Sequence, residues 1–351
     1  MSGLSRLLML VILCCAWQPL LPVGGLHAEE ATEAKVKAAD LVRDAQPIDL
    51  ASPRYVGLFK ELRLRHNFSQ PELDRLFKGV AIRKRVLELM DTQWEAKPYY
   101  KYRPLFITPK MIREGKKNRA LYAPLLDAVE KKFGVERDIV LAIWGIESRY
   151  GKAKGAFGMF QTLNTMFDAY PRRRTFYRQQ LVAYLLLCRE NGVDPLGVTG
   201  SYGGAFGQTQ FIPSSFTEYA VDFDQDGRRD VWHSVPDVLA SIANYLYRFG
   251  WVQGVPVYRD LGTELKGEEL VAAYNQGRKG LVPWQRVAEL QGVALEPPQA
   301  NGDLTIVGLE LENGGLRYVA GYPNFQAITK WNNSNRYAMA VTELAEILGA
   351  P

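Results

Sequence analysis

Over most of the chain, apolar residues recur every three or four positions, the spacing that gathers them on one face of a helix. The stretches LDRLFKGVAIRKRVLELM and LYAPLLDAVEKKFGV show it between residues 48 and 135, which therefore reads as a helical region. VERDIVLAIWGIESRYG predicts a further helix, with Asp138 near its start, Gly151 past its end and Glu147 in its last turn. RTFYRQQLVAYLLLCRENGVDP gives a long amphipathic helix closed by Gly192 and Pro195. SVPDVLASIANYLYRFGW gives another from about Ser234, and SNRYAMAVTELAEILG gives the last. Between 252 and 323 the period changes: Gly and Pro punctuate short β-like pieces such as LTIVGLEL and LRYVAGY. The fold class is accordingly mainly α (α+β), with a small β-containing insert.

Residues 1–28 depart from this pattern. One arginine, an apolar stretch from Leu7 to Trp17, a turn-forming segment and Ala28 make a secretory signal peptide, although Leu26 stands where a small residue is preferred. The stretch is too short and interrupted for a confident membrane span. Export is therefore expected, with an uncleaved anchor as the alternative. Cys14 and Cys15 hint at lipidation, but Leu13 is larger than such a site prefers. Residues 29–47, rich in Ala, Glu, Lys and Asp, read as a polar leader or an exposed helix.

Composition narrows the chemistry. A chain of 351 residues, 47% hydrophobic and 23% charged, holds a sizeable core and is not disordered. Once the leader is removed Cys188 is the sole cysteine, so no intramolecular disulfide forms. With His27 gone only His66 and His233 remain, which excludes a multi-histidine metal site and disfavours Ser-His-Asp or Cys-His catalysis. The net charge of +5, one less without Arg6, suits an anionic polymer such as a cell wall.

Three local patterns carry candidate chemistry. No charge occurs from Ile139 to Ile146, so Glu147 arrives in a dry setting that raises a carboxyl pKa towards the range of a general acid. Taken alone, it reads equally as a helix-terminal Glu paired with Arg149 or solvent. GSYGGAFGQTQFIPSS combines tight turns and aromatic rings with Ser201, Gln208, Gln210 and Ser214, a composition suited to sugars, though a plain turn-rich loop has the same signature. DFDQDGRRDVWH places Asp222, Asp224 and Asp226 at positions one, three and five of an EF-hand-like loop, with Gly227 at six and Asp230 at nine. Position twelve is His233 rather than Glu, and Asp237, four residues beyond, closes a lengthened loop over 222–237. The isolated loop favours a structural cation over a sensor.

These segments, with YPRRRTFYRQQLVAYLL, SIANYLYRFGW and NNSNRYAMAV, together resemble the B-type membrane-bound lytic murein transglycosylases of bacteria, over about residues 50–350. The resemblance implies a lysozyme-like catalytic core at 136–251, with the insert at 252–323 and a C-terminal helical segment, 324–351, packing on the core. It implies Glu147 as catalytic acid and base, Ser201 and Gln210 as saccharide-binding groove residues, Tyr245 as an aromatic wall, and Asn332 as the Asn of the family's Tyr-Asn or Trp-Asn pair; Gln208 joins this substrate-binding set. It implies a structural calcium ion on Asp222, Asp224, Asp226, Arg228 and Asp237, and no cofactor for catalysis. Relative to the family, the loop carries one extra residue between Trp232 and Asp237. AAYNQG at 272–277 resembles a motif elsewhere in the superfamily, but it falls in the insert and is read as accidental.

The implied activity is cleavage of the MurNAc-GlcNAc β-1,4 bond of peptidoglycan with formation of 1,6-anhydromuramic ends. Alternatives are a muramidase that admits water to the same bond and a wall-binding scaffold that does not cut. The expected setting is the periplasm, free or membrane-associated. The expected partner is the glycan strand, handled by a monomer that associates with other cell-wall enzymes and binds no nucleic acid.

Overall fold

The computed structural model describes residues 37–92, 97–298 and 302–350; the signal-peptide and lipidation readings lie outside these. The described chain is mainly helical, with two small antiparallel sheets. It divides into two compact units. One is built on 37–92, 155–206 and 211–217, the other on 97–154, 207–210 and 218–350.

The first unit contains the helices Pro53–His66, Gln70–Phe77, Lys84–Asp91, Met159–Ala169 and Arg174–Glu190. Ser69 and Glu72 close a capping box at the second of these, satisfying backbone N–H groups that a helix start otherwise leaves unpaired. The core is aromatic: Phe77 meets Phe59 at 4.9 Å and Phe160 at 5.0 Å, both edge-on, and Tyr55 lies 5.0 Å from Phe167. The buried Tyr55 hydroxyl donates to Asn164 Oδ1 at 3.0 Å, so a polar atom enters this core without losing its hydrogen bond. Phe157–Gly158 pairs antiparallel with Thr199–Gly200 at the entrance to the glycine-rich segment. Cys188 is fully buried, and burial pushes its thiol up to about 12.

In the second unit the helices Pro109–Leu121, Ala123–Phe133, Arg137–Ser148, Val235–Arg248, Pro323–Trp331 and Asn335–Gly349 bury their apolar faces together. Arg137–Ser148 is buried on nearly every side from Ile139 to Ile146 and packs along Asn335–Gly349. That explains why its sequence shows no polar stripe. Four strands form an antiparallel sheet in the order Tyr258–Gly262, Leu316–Gly321, Asp303–Glu310 and Leu281–Pro283. With the helices Glu268–Asn275 and Trp284–Gln291 they enclose a small core of their own around Leu270, Val287, Leu304, Ile306 and Tyr322. No helix among the described residues is long and apolar enough to cross a membrane.

The last helix begins at a serine. Ser334 Oγ accepts the N–H of Tyr337 at 3.3 Å, satisfying one of the otherwise unpaired donors of the first turn. Ser334→Ala is expected to lower unfolding stability by about 1 kcal/mol in urea titrations without changing the m-value.

Candidate active site

The end of the Arg137–Ser148 helix is an uncommon piece of backbone. Arg149, Tyr150 and Gly151 have φ of 52°, 56° and 79°, three left-handed residues in succession. For the two side-chain-bearing members this costs about 1 kcal/mol or more each, so surrounding contacts must hold them. The Arg149 N–H donates to Gly145 O at 2.8 Å and ends the helix. Tyr150 folds back, its ring edge-on to Trp144 at 5.5 Å and its hydroxyl donating to Met111 O at 3.3 Å. The helix accommodates that ring because position 145 is glycine: a Cβ there would stand 2.6 Å from it.

Gly151 solves a second packing problem. A Cβ there would lie 2.3 Å from Gln208 Oε1, in addition to the strain of its φ. Gln208 Oε1 accepts the indole N–H of Trp144 at 2.9 Å, and its Nε2 donates to Trp232 O at 3.0 Å. Ser148 Oγ donates to Trp144 O and accepts the N–H of Gly151. The sequence WGIESRYG thus encodes a locked helix end, and the residue it presents in the last turn is Glu147.

The Glu147 side chain is only partly exposed among buried neighbours. Its Oε1 accepts two hydrogen bonds, from Trp331 Nε1 at 2.9 Å and from the Tyr337 hydroxyl at 2.6 Å. Both donors take the same oxygen, and among the described residues Oε2 has none. Burial pushes the pKa up, and the two donors, which favour the carboxylate, pull it back; burial wins and the carboxyl rests at about 7. Glu147 is not paired with Arg149, which is exposed.

Trp331 is itself positioned. Its ring meets Tyr245 edge-on at 4.7 Å; the Tyr245 hydroxyl donates to Lys330 O at 2.6 Å, and its ring also contacts Tyr219 and Phe249 at 4.6 Å each. Tyr245 is therefore a buried support behind the acid's donor. Asn332, which caps the Pro323–Trp331 helix, is 5% exposed, and among the described residues its Nδ2 has no hydrogen-bond partner. A buried amide N–H2 without an acceptor costs about 1–3 kcal/mol, so it is poised for an acceptor from outside the chain. Gln210 adopts φ 50° and donates from Nε2 to Gly207 O at 2.8 Å.

Glu147, Gln208, Gln210, Tyr245 and Asn332 all belong to the second unit, whereas Ser201 belongs to the first. There Ser201 is buried, its Oγ accepting the Ala205 N–H at 2.9 Å and its own N–H donating to Ala205 O at 2.7 Å. In the sequence Trp331 is marked only as the aromatic member of the pair with Asn332, and Tyr337 is not marked at all. The available signal was weak: a Trp beside Asn332, and a Tyr three residues beyond a helix-capping Ser.

In the acidic loop, carboxylate oxygens of Asp222, Asp224 and Asp237 come within 4.8 Å of one another. Asp237 is fully buried in the first turn of the Val235–Arg248 helix and accepts the N–H groups of Phe223 and Asp230, both at 2.7 Å. Burial, the larger effect, nevertheless lifts its pKa to about 6. The Asp226 carboxylate accepts the N–H of Arg228 at 2.8 Å, while the Asp226 N–H is directed at Asp222 and Asp224. Asp230 is taken up by the N–H groups of Trp232 and His233. This all-oxygen set fits a hard divalent cation.

Residues 52–346 match the family model described as Transglycosylase SLT domain. The chain is 33% identical over 298 residues to membrane-bound lytic murein transglycosylase B of Escherichia coli K12, covering 80% of this chain and 79% of that protein. Among solved structures, the soluble lytic transglycosylase SltB1 of Pseudomonas aeruginosa superposes with a TM-score of 0.76 at 34% identity, covering 84% of this chain and 98% of that one. The Escherichia coli lytic transglycosylase Slt35 in complex with calcium superposes with a TM-score of 0.75 at 31% identity, covering 86% and 95%. With a family match across most of its length and a fold shared with these enzymes, the chain belongs to the transglycosylase SLT family.

Proposed function

We propose that Glu147 is the acid and then the base of a lytic transglycosylase that cleaves the MurNAc-GlcNAc β-1,4 bond of peptidoglycan and leaves 1,6-anhydromuramic ends. The observation that supports this role is the one-sided bonding of its carboxyl. With Oε1 occupied by Trp331 and Tyr337, the proton of the neutral acid resides on Oε2, the oxygen left for the substrate. A carboxyl near 7 is half protonated at neutral pH, where a general acid is most effective.

Protonation of the glycosidic oxygen by Oε2 breaks its bond to C1 of MurNAc and releases GlcNAc as a neutral alcohol. The MurNAc acetamido group stabilises the positive centre at C1, so no second carboxylate is required. Glu147, now anionic and steadied by its two donors, takes the proton of the C6 hydroxyl as that oxygen attacks C1. The proton returns to Oε2, no water is consumed, and the nucleophile's attachment to the same sugar supplies proximity. Asn332 Nδ2 is a polar contact to the glycan; Gln208, its amide engaged on both sides, and Tyr245 act by holding Trp144 and Trp331.

The acidic loop is read as a structural calcium site of Asp222, Asp224, Asp226, Arg228 and Asp237, supported by the converging carboxylates and by a relative solved with calcium. The ion takes no part in the chemistry. We place the chain in the periplasm, acting as a monomer on glycan strands.

Four outcomes are expected. Glu147→Gln lowers turnover by at least about a thousandfold, read as loss of anhydromuropeptides by mass spectrometry; hydrated ends from the native enzyme would make it a muramidase instead. The same variant gains stability. The folded pKa near 7 lies above the ordinary 4.5, so the folded state holds more protons in between and stability falls as pH rises through that window. The gain over native is on the order of 3 kcal/mol at pH 8 and vanishes below about pH 4, read from urea titrations.

Tyr337→Phe removes a donor that favours the carboxylate. The alkaline limb of kcat/KM, expected near pH 7, moves up by about one unit while kcat falls; an unmoved limb would show that the hydroxyl does not tune the acid. Chelation lowers the melting temperature by about 5 °C, and excess calcium restores it. An unchanged melt of a protein purified without calcium would discard the ion.

A further inference from the structure

Four arginines lie between 252 and 323, and three are neutralised by carboxylates. Arg259 pairs with Glu296, Arg286 binds Glu269 at 2.7 Å and Glu289 at 2.8 Å, and Arg317 binds Asp260 at 2.5 Å and Glu343 at 3.0 Å. Arg278 is the exception. Among the described residues no carboxylate approaches it, and its one recorded hydrogen bond is to a neutral group, Asn333 Oδ1. The surrounding protein removes part of its water, which lowers its pKa, yet the side chain stays exposed. A guanidinium keeps its charge under any such shift, so a partly desolvated and uncompensated cation faces solvent here.

Its position gives this charge a use. Asn333 follows Asn332, with its unpartnered buried Nδ2, and lies two residues after Trp331, which holds Glu147. Two residues span at most about 7 Å, so Arg278 is anchored on the segment that carries the acid's donor. Lys279, exposed beside it, adds a second cation to the same turn.

On the reading that glycan is cleaved at Glu147, the sugar whose C1 reacts is MurNAc, and it alone carries a lactyl branch ending in carboxylates. We propose that Arg278 is a specificity-determining residue that binds a carboxylate on the lactyl branch of the MurNAc held at Glu147, distinguishing murein from glycans that lack such a branch. The planar guanidinium suits a carboxylate bidentately, with Asn333 fixing its orientation. The carboxylate comes from the stem peptide or, in strands stripped of peptide, from the lactyl group itself.

The test is calorimetric binding to the full mature chain carrying Glu147→Gln, with and without Arg278→Gln. The ligands are GlcNAc-anhydroMurNAc-tetrapeptide, the peptide-free GlcNAc-anhydroMurNAc and chitobiose, which has no carboxylate. Arg278→Gln is expected to weaken the tetrapeptide ligand about tenfold and leave chitobiose unchanged, with Arg278→Lys recovering part of the loss. Equal weakening of the peptide-free disaccharide assigns the contact to the lactyl carboxylate; unchanged binding there assigns it to the stem peptide. Weakening of all three ligands alike, or of none, overturns the inference, the first by reducing Arg278 to a prop for Asn333. Failure of the Arg278-containing protein to bind any of the three overturns the glycan reading itself.

Discussion

The site depends on a carboxyl kept dry and yet held by two donors on one oxygen. Burial alone would leave a proton too firmly bound to release, and donors alone would leave a carboxylate with no proton to give. Trp331 Nε1 and the Tyr337 hydroxyl oppose the desolvation of Glu147 and leave the group near 7, where both forms are accessible. Much of the second unit can be read as what is required to bring those two donors to that oxygen.

The requirement is long-range. Trp331 and Tyr337 lie 184 and 190 positions after Glu147, and no local preference brings them there. Packing of Asn335–Gly349 along Arg137–Ser148 does so, assisted by pairs such as Arg317 with Glu343, which tie the sheet to the last helix. The strained turn at Arg149 and Tyr150 is the local half of the arrangement. Its left-handed residues fold the Tyr150 ring under Gly145 and so fix the direction in which Glu147 leaves the helix.

This division explains what could be read from sequence. The helices around Glu147, Ser234 and Asn335 were legible because their apolar period and capping residues are local. Asp303–Glu310 and Leu316–Gly321 showed as β-like runs, whereas Tyr258–Gly262, an edge strand with exposed Arg259 and Asp260, has no alternation to reveal it. Glu147 stood out because its dry surroundings are its own sequence neighbours. Trp331 and Tyr337 did not, because an aromatic on an apolar helix face usually means core, and their polar tips acquire meaning only through a distant partner. The glycines around Gln208 announced close backbone approach without saying to what; the answer, Gly151 against the Gln208 amide, is again a tertiary contact.

The acidic loop joins the same chain of support. Asp237 sits in the first turn of the Val235–Arg248 helix, where its carboxylate holds the N–H groups of Phe223 and Asp230 and its own N–H is capped by Ser234. Tyr245, two turns on, braces Trp331, which in turn holds Glu147. Three carboxylates with oxygens within 4.8 Å of one another repel when charged. Unrelieved, that repulsion acts at the start of the helix that bears Tyr245. A divalent cation there would turn repulsion into attraction and stiffen the end of the helix whose Tyr245 packs against Trp331.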